Sequence, residues 1–418
     1  MERRCHSQSG PPVGCPTRSR LNCGVPFTNS WIQSTRMPVV PVPPFHHPVT
    51  AFVLTTLLAV GMATTLSAAP AGQTKPATKD PYQLAEQGNA ALKEKRYEEA
   101  RAAFVEASRL LPREASLVFL TGYASFLLGQ AAEARPVLER ALTMDPKLTN
   151  ASIVLGWTLY NQGKVAEAVK VIEAGLTQAP QNKDLTSLLA EWQPELDLER
   201  GFYEARNAHF SVLFQGPSDD LTARRIVDLL EDAYWRVGRQ LSTYPTEVVP
   251  VILYTREQFK ASTGGPDWAA GIYDGRIKIP TVGALQQADA LKRTLAHEFT
   301  HAVVRQLSGG AAPKWLNEGL ARLLESDDFT LVTQVLDRSP KRLPHARLER
   351  EFASLPPEDV SLAYAQSAFA VKKMIDLRGP SAVVTLLQAL GRGTAFESAF
   401  QQSIFMRYED FVATLARY

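Results

Sequence analysis

The sequence Leu295-Ala296-His297-Glu298-Phe299-Thr300-His301 decides the fold of the second half of the chain. Apolar residues recur around it at helical spacing and form one stripe, which consists of Leu291, Leu295, Phe299 and Ala302. His297 and His301 are four residues apart, so a helix places one imidazole above the other. Two imidazoles in this arrangement can bind one zinc ion, at about 2.0–2.1 Å each. Glu298 then lies beside the metal, where its carboxylate can take a proton from a metal-bound water.

A catalytic zinc site needs a third protein ligand and an open fourth position. The first helix ends at Ser308-Gly309-Gly310-Ala311-Ala312-Pro313, whose glycines and proline are typical of a helix C-terminus followed by a turn. A second short helix, residues 315–324, should fold back beside the first and bring Glu318 to the metal. Gly319 has a poor helix propensity, and we expect it to permit close approach of the two backbones. The alternative for the three polar residues is a salt-bridged surface helix without metal.

These residues carry a resemblance to a known family. His297-Glu298-x-x-His301 followed by Asn317-Glu318-Gly319-Leu320-Ala321 resembles the gluzincin metallopeptidases, and among them the bacterial peptidase MA-like branch. The resemblance implies a thermolysin-like fold over about residues 203–418, with Glu318 as third zinc ligand and Glu298 as general base. Many gluzincins have an acidic residue four positions after the ligand glutamate, where it supports the first histidine. This chain has Arg322 there, so another residue, with Glu325 as the candidate, must take that role.

The function that follows is peptide-bond hydrolysis with one Zn²⁺ per chain, held by His297, His301 and Glu318. Glu298 would activate the zinc-bound water and pass its proton to the leaving amine. No aminopeptidase-type G-x-M-E-N motif occurs, which favours an endopeptidase. Two alternatives stay open: a repeat-containing interaction protein with a vestigial peptidase domain, and a zinc hydrolase that acts on other bonds. The presence of Glu298 favours activity, because an inactive domain loses its base before its ligands.

A tetratricopeptide-like repeat precedes this domain, from Tyr82 to about Ala190. Three classes of residue recur every 34 positions: Gly88, Gly122 and Gly156; Ala100, Ala134 and Ala168; Pro112, Pro146 and Pro180. This period resembles that of the tetratricopeptide repeat, a pair of helices that stacks on its neighbours. Phe104, Leu138 and Ile172 occupy the equivalent core position in the three units. The resemblance implies a groove for a peptide or a partner protein, and the alternative is a rigid brace for the catalytic domain.

Charge and cysteine content limit the other possibilities. Apart from five arginines and one glutamate in residues 1–36, the chain has 40 basic and 42 acidic residues, so it carries no basic nucleic-acid footprint. The three cysteines, Cys5, Cys15 and Cys23, precede the body of the protein, which therefore has neither a disulfide framework nor a thiolate metal site.

The leader, residues 1–69, has the features of an export signal, and Met37 is an alternative start. Residues 51–62 form an apolar run of signal-peptide length, and Ser67-Ala68-Ala69 supplies the small residues that a cleavage site requires. We expect export to a bacterial periplasm or the extracellular space. An uncleaved anchor over residues 51–69, with the protein facing outside the cytoplasm, is the alternative and the one route to membrane contact.

Other segments complete the predicted fold. Strands are expected over residues 208–214 and 248–254, a helix over 221–237, and a hairpin around Asp274-Gly275 over residues 270–279. In gluzincins a strand before the zinc helix pairs with the substrate backbone, so this hairpin is the candidate for substrate docking, with an ordinary sheet edge as the alternative. Tyr364 and His345 are candidates for stabilising the oxyanion. His209 is interpreted as structural.

The predicted fold class is α+β and mostly helical. An α-solenoid of three helix-turn-helix repeats, residues 81–195, would follow the leader and a linker over residues 70–80. A zincin-like domain, residues 203–418, would combine a small mixed sheet, the H-E-x-x-H helix and C-terminal helices.

Overall fold

The computed structural model describes residues 80–216, 220–264, 269–280, 288–339, 341–349 and 352–415. All of them belong to one compact unit, residues 38–418. The predicted leader over residues 1–69, the alternative start at Met37 and most of the linker lie outside the described residues. No helix within the described ranges combines the length and the apolar character that crossing a bilayer requires.

The first half of the described chain is a stack of helices. Two helices form each of three repeats, and a seventh helix closes the stack. They are α1 (Pro81–Lys93), α2 (Tyr97–Leu110), α3 (Ala115–Leu127), α4 (Ala131–Met144), α5 (Thr149–Asn161), α6 (Val165–Gln178) and α7 (Lys183–Glu199). The predicted repeat region is therefore helical throughout. Helix α7 continues through Pro194 to Glu199, beyond the predicted end of the repeat region at residue 195.

The 34-residue pattern has a direct steric cause. A Cβ atom added at Gly88 would lie 2.6 Å from the ring of Phe104, and one at Gly122 would lie 2.8 Å from Leu138. At Gly156 the nearest atom is Cδ1 of Ile172, also at 2.8 Å. Each glycine thus permits the two helices of its repeat to cross closely over the fully buried residue that recurs at the same period.

The second half of the chain contains a five-stranded mixed sheet with order β1-β2-β3-β5-β4. The strands are β1 (Tyr203–Arg206), β2 (Phe210–Phe214), β3 (Val249–Tyr254), β4 (Ile272–Tyr273) and β5 (Ile277–Pro280). Strands β2, β3 and β5 are parallel, while β1 and β4 are antiparallel edges. The apolar run of β3 is buried on both faces, as expected for a central parallel strand. Strand β1 and helix α9 (Arg256–Thr263) are absent from the sequence prediction.

Helices cover this sheet and complete the domain. The sheet is followed or flanked by α8 (Asp220–Leu241), α10 (Ala288–Ser308), α11 (Lys314–Leu324), α12 (Thr330–Arg338), α13 (His345–Leu348), α14 (Pro357–Arg378), α15 (Pro380–Gly391), α16 (Phe396–Ile404) and α17 (Tyr408–Leu415), with one 3₁₀ turn at Phe352–Ser354. The predicted fold class is confirmed: helices predominate, and the sheet is small and mixed.

The repeats pack on the second half through the turns inside each helix pair. A Cβ atom at Gly163 would lie 2.7 Å from Pro250, and one at Gly129 would lie 3.7 Å from the carbonyl oxygen of Gln306. In the first repeat, the carbonyl oxygen of Lys95 lies directly against Gly393. The repeats therefore pack against the second half of the chain, as expected for a brace, which was one of the two roles open from the sequence.

Candidate metal centre

Helices α10 and α11 form an antiparallel pair because two glycines allow the chain to reverse. Gly309 and Gly310 both have a positive φ, 60° and 85°, which is the left-handed region that other residues rarely adopt. Pro313 then supplies the N-cap position of α11. The reversal brings the middle of α11 beside the two histidines of α10, as the sequence predicted.

Gly319 permits a close approach, but to a different helix from the one expected. A Cβ atom at this position would lie 2.5 Å from the carbonyl oxygen of Ser367, in α14. The close neighbour is therefore α14 rather than α10. Seated against α14, the helix α11 has its Glu318 side facing the histidines.

Within the described residues, His297, His301 and Glu318 form a group able to hold a metal ion, with ligand atoms all within 4.8 Å of one another. Glu318 Oε2 lies 3.5 Å from His297 Nε2 and 3.6 Å from His301 Nε2. Ligands about 2.0–2.2 Å from a tetrahedral zinc are roughly 3.4 Å apart, so both separations are close to those of a filled site. The three side chains are only 7–16 % exposed.

The carboxylate of Glu318 leaves one oxygen without a donor. Its Oε1 forms an ion pair with Lys314 Nζ at 3.1 Å. Its Oε2 is buried, and no described atom donates a hydrogen bond to it. A buried carboxylate oxygen without a donor is costly unless a cation binds it. The residues therefore fit a divalent metal with nitrogen and oxygen ligands, and that chemistry suits zinc.

The other ring nitrogen of each histidine is held by a hydrogen-bond acceptor. His297 Nδ1 donates to Glu325 Oε2 at 3.0 Å, and His301 Nδ1 donates to Asn317 Oδ1 at 3.0 Å. These bonds fix the tautomer in which each Nε2 faces Glu318, an arrangement typical of metal-binding histidines. Sequence reasoning named Glu325 but missed Asn317, although it is the residue before the ligand glutamate in the quoted motif.

Arg322 explains how the chain departs from the family pattern. Its guanidinium forms an ion pair with Glu325, three residues later in the chain. The acidic side chain that contacts His297 is therefore at position 325 and not at position 322, and Arg322 neutralises its charge.

Glu298 lies in the same buried space but makes no ligand contact with the group. It is 6 % exposed, and Gly271, next to β4, packs against it: a Cβ atom at Gly271 would lie 3.0 Å from Glu298 Cγ. Burial raises the pKa of Glu298 to about 7 against the opposing charge of His297, and the carboxylates of Glu318 and Glu325 act in the same direction as burial. In the metal-free protein, the carboxyl group of Glu298 therefore loses its proton near neutral pH.

In the metal-free protein, His297, His301 and Glu318 shift one another's pKa values. Burial alone lowers the pKa of His297, but the carboxylates of Glu318 and Glu325 outweigh burial and raise it to about 10. Burial lowers the pKa of His301 to about 4. The two histidines hold the pKa of Glu318 well below its ordinary value against the effect of burial. In the metal-free protein the charge of His297 lies 3.5 Å from Glu318 Oε2, a contact without the geometry of a hydrogen bond.

Tyr364 and His345 lie in different surroundings. The ring of Tyr364, on α14, is centred 6.1 Å from the ring of His297. His345 instead forms a hydrogen bond with Tyr408 and packs against Trp315, with ring centroids 5.1 Å apart. Of the two candidates from the sequence, the structure brings Tyr364 to the histidines and places His345 in an aromatic cluster. His209 contacts Glu231 at 2.8 Å.

The chain matches known families in both halves. Residues 232–408 match the model described as Peptidase MA superfamily, and residues 86–149 and 125–191 match two tetratricopeptide repeat models. The predicted combination of repeats with a peptidase MA-like domain is therefore confirmed. No curated protein matches the chain.

Solved tetratricopeptide domains are similar to part of the chain. The first such domain of Spaghetti (RPAP3), bound to an HSP90 peptide, has 26 % identity and a TM-score of 0.27, and the match covers 28 % of this chain and 95 % of that one. The Arabidopsis OM64 domain has 23 % identity and a TM-score of 0.27, with coverage of 28 % and 95 %. The first domain of human RPAP3 has 25 % identity and a TM-score of 0.28, with coverage of 29 % and 97 %.

Proposed function

We propose that this protein, a peptidase-like domain joined to a repeat domain, is an exported zinc-dependent endopeptidase of the gluzincin type. The observation that carries the proposal is the buried Glu318 oxygen that lacks a donor and faces two oriented imidazoles. His297, His301 and Glu318 would hold one zinc ion. When bound, zinc polarises a carbonyl oxygen and lowers the pKa of water.

Glu298 would act as the general base and then as the general acid. Its side chain is buried beside the ligand group, and a positioned carboxylate there can take a proton and return it. It would accept a proton from the attacking water and deliver that proton to the leaving amine. Tyr364 is the candidate for a hydrogen bond to the developing oxyanion, because its ring lies close to His297.

The substrate would bind along β4. This strand is an edge of the sheet, and the residue before it, Gly271, packs on Glu298. An extended peptide that pairs with an edge strand places its backbone along that strand, so the scissile bond can lie inside a longer chain. This docking mode favours cleavage within polypeptides over removal of single terminal residues.

The repeat domain would contribute a binding surface for a peptide or a protein partner, which is the usual role of such repeats. An interaction protein with an inactive peptidase domain is the alternative function, and the tetratricopeptide matches favour it.

Export would be tested by sequencing the N-terminus of the protein recovered from outside the cytoplasm. We expect it to begin after Ala69, and recovery with residues 51–69 attached would contradict cleavage.

Cleavage of a fluorescent casein substrate tests the activity. We expect the zinc-loaded chain to cleave casein, a chelator to stop cleavage, and added zinc to restore it. Glu298→Gln should retain zinc and lose about 10²–10⁴-fold in kcat, because proton transfer by a positioned side chain contributes that much. Glu173→Gln, an exposed change on α6, is the matched control. A Glu298→Gln variant that cleaves as fast as the parent would contradict the mechanism, and an inactive parent with bound zinc would favour the interaction protein.

A further inference from the structure

Two charged side chains, one just before strand β5 and one within it, lie in the interior of the protein. Arg276, which precedes the strand, is 0 % exposed, and Lys278, within it, is 2 % exposed. Charged side chains are almost never fully buried unless they are paired. Both residues belong to the hairpin whose other strand is β4, the proposed substrate strand.

Their partners come from the last helix of the repeat domain. Arg276 Nη1 lies 3.1 Å from both carboxylate oxygens of Glu199, and its Nη2 forms an ion pair with Glu195. Lys278 Nζ lies 2.5 Å from Glu195 Oε1 and 2.8 Å from Asp274 Oδ2. Glu195 and Glu199 are on α7, so the charges of the hairpin are neutralised mainly from the repeat domain.

Repeat residues complete this arrangement. The hydroxyl of Tyr160, on α5, donates to Glu195 Oε2 at 2.6 Å, and the guanidinium of Arg276 lies 4.6 Å from the centre of the Tyr160 ring. At the turn of the hairpin, a Cβ atom at Gly275 would lie 2.7 Å from Asn161 Oδ1. The turn therefore has no space for a side chain against the third repeat.

The other end of β4 reaches the catalytic base. Gly271 packs on Glu298, whereas Gly275 packs on Asn161 of the repeat domain. Only four residue steps separate the two glycines, about 13 Å of extended chain. Strand β4 has only two residues and one neighbouring strand, so it depends on β5, with which it pairs, for its position. Its place beside Glu298 must be set by what holds the hairpin.

We propose that Glu195 and Glu199 are positioning residues for the substrate strand: through Arg276 and Lys278, the repeat domain holds β4 at its distance from Glu298. The repeats would then be part of the active site's framework. This inference rests on the proposed function for its catalytic consequence, although the tether itself does not depend on activity. The ion pairs favour one register of the hairpin, because a shift would move Arg276 and Lys278 away from the carboxylates of α7.

Two variants of the full chain test the tether. Glu199→Gln keeps the shape of the side chain and removes its charge. Glu195→Gln combined with Lys278→Met removes one charge of each sign, which proteins tolerate better than removal of one partner. The matched control is Glu167→Gln, because Glu167 also pairs with an arginine of another helix, Arg135 at 2.8 Å, but inside the repeat array.

The measurements are zinc content, kcat and KM with the casein substrate, and hydrogen exchange of the amides in residues 270–280. We expect each test variant to bind one zinc, to raise KM at least about 5-fold with kcat within about 2-fold, and to speed hairpin exchange at least about 10-fold. A docking strand contributes to ground-state and transition-state binding alike, so its displacement appears in KM. The control should match the parent in all three.

Other outcomes overturn the proposal. Unchanged exchange of the hairpin in both variants would show that the carboxylates do not hold it. A fall in kcat or in zinc content with an unchanged KM would indicate a general structural role. If the parent itself is inactive, the proposed function fails, but faster exchange confined to residues 270–280 still supports the tether.

Discussion

Two buried groups of charges lie near the β4–β5 hairpin, and their carboxylates differ in hydrogen bonding. In the tether, formed by Glu195, Glu199, Arg276 and Lys278, all four carboxylate oxygens of the glutamates have donors, which are Arg276, Lys278, Tyr160 and Tyr254. In the metal centre, Glu318 has an oxygen with no donor among the described atoms. Buried carboxylates that have all their donors stabilise a structure, whereas a buried carboxylate oxygen without a donor indicates a cation site.

The largest expected effect is a loss of stability when the tether loses Arg276. Arg276→Met removes a fully buried cation and leaves the two glutamates on α7 facing each other. We expect the free energy of unfolding to fall by about 3–5 kcal/mol, because loss of one partner leaves uncompensated buried charge. Urea unfolding of the zinc-loaded chain measures it, with Arg135→Met in the exposed pair as control. A loss below about 1 kcal/mol would show that the tether contributes little.

Acid should weaken the same group. Burial alone would raise the pKa of Glu195, but Arg276 and Lys278 outweigh it and lower the pKa to about 2. The folded-state pKa is below the unfolded value, so the stabilisation is present above about pH 4.5 and is lost as the pH falls toward 2. The parent should therefore lose more stability between pH 5 and 3 than the variant with Glu195→Gln and Lys278→Met, and equal losses would contradict this assignment.

The third expected effect is a loss of zinc affinity at the metal centre. Glu325→Gln keeps the shape of the residue that accepts a hydrogen bond from His297 but removes its charge. Loss of such a partner weakens metal affinity about 10–100-fold. Competition with a zinc-binding dye measures the affinity, and Glu173→Gln is the control. An unchanged affinity would mean that Glu325 does not orient His297.

The site was more predictable from the sequence than its support. His297, His301 and Glu318 follow from spacing and from the glycine turn, because local backbone geometry decides where they lie. The contact of Gly319 with Ser367 involves α14, which lies far along the chain, so the wrong helix was expected. Glu195 and Arg276 are 81 positions apart in different domains, and nothing in either local pattern indicates the ion pair.

The repeats illustrate the same limit. Their period predicts which glycine meets which core residue, since both lie within one helix pair. Their bracing role depends on Gly129 and Gly163 meeting the second half of the chain, which no repeat pattern encodes.

Zinc content of the purified full chain tests the central claim most directly, when it is measured for the parent and for Glu318→Gln under the same dialysis conditions. The account predicts one zinc per chain in the parent, much less in Glu318→Gln, and casein cleavage that follows the zinc content. A parent without zinc, or a Glu318→Gln variant that retains zinc and activity equal to the parent, would contradict it.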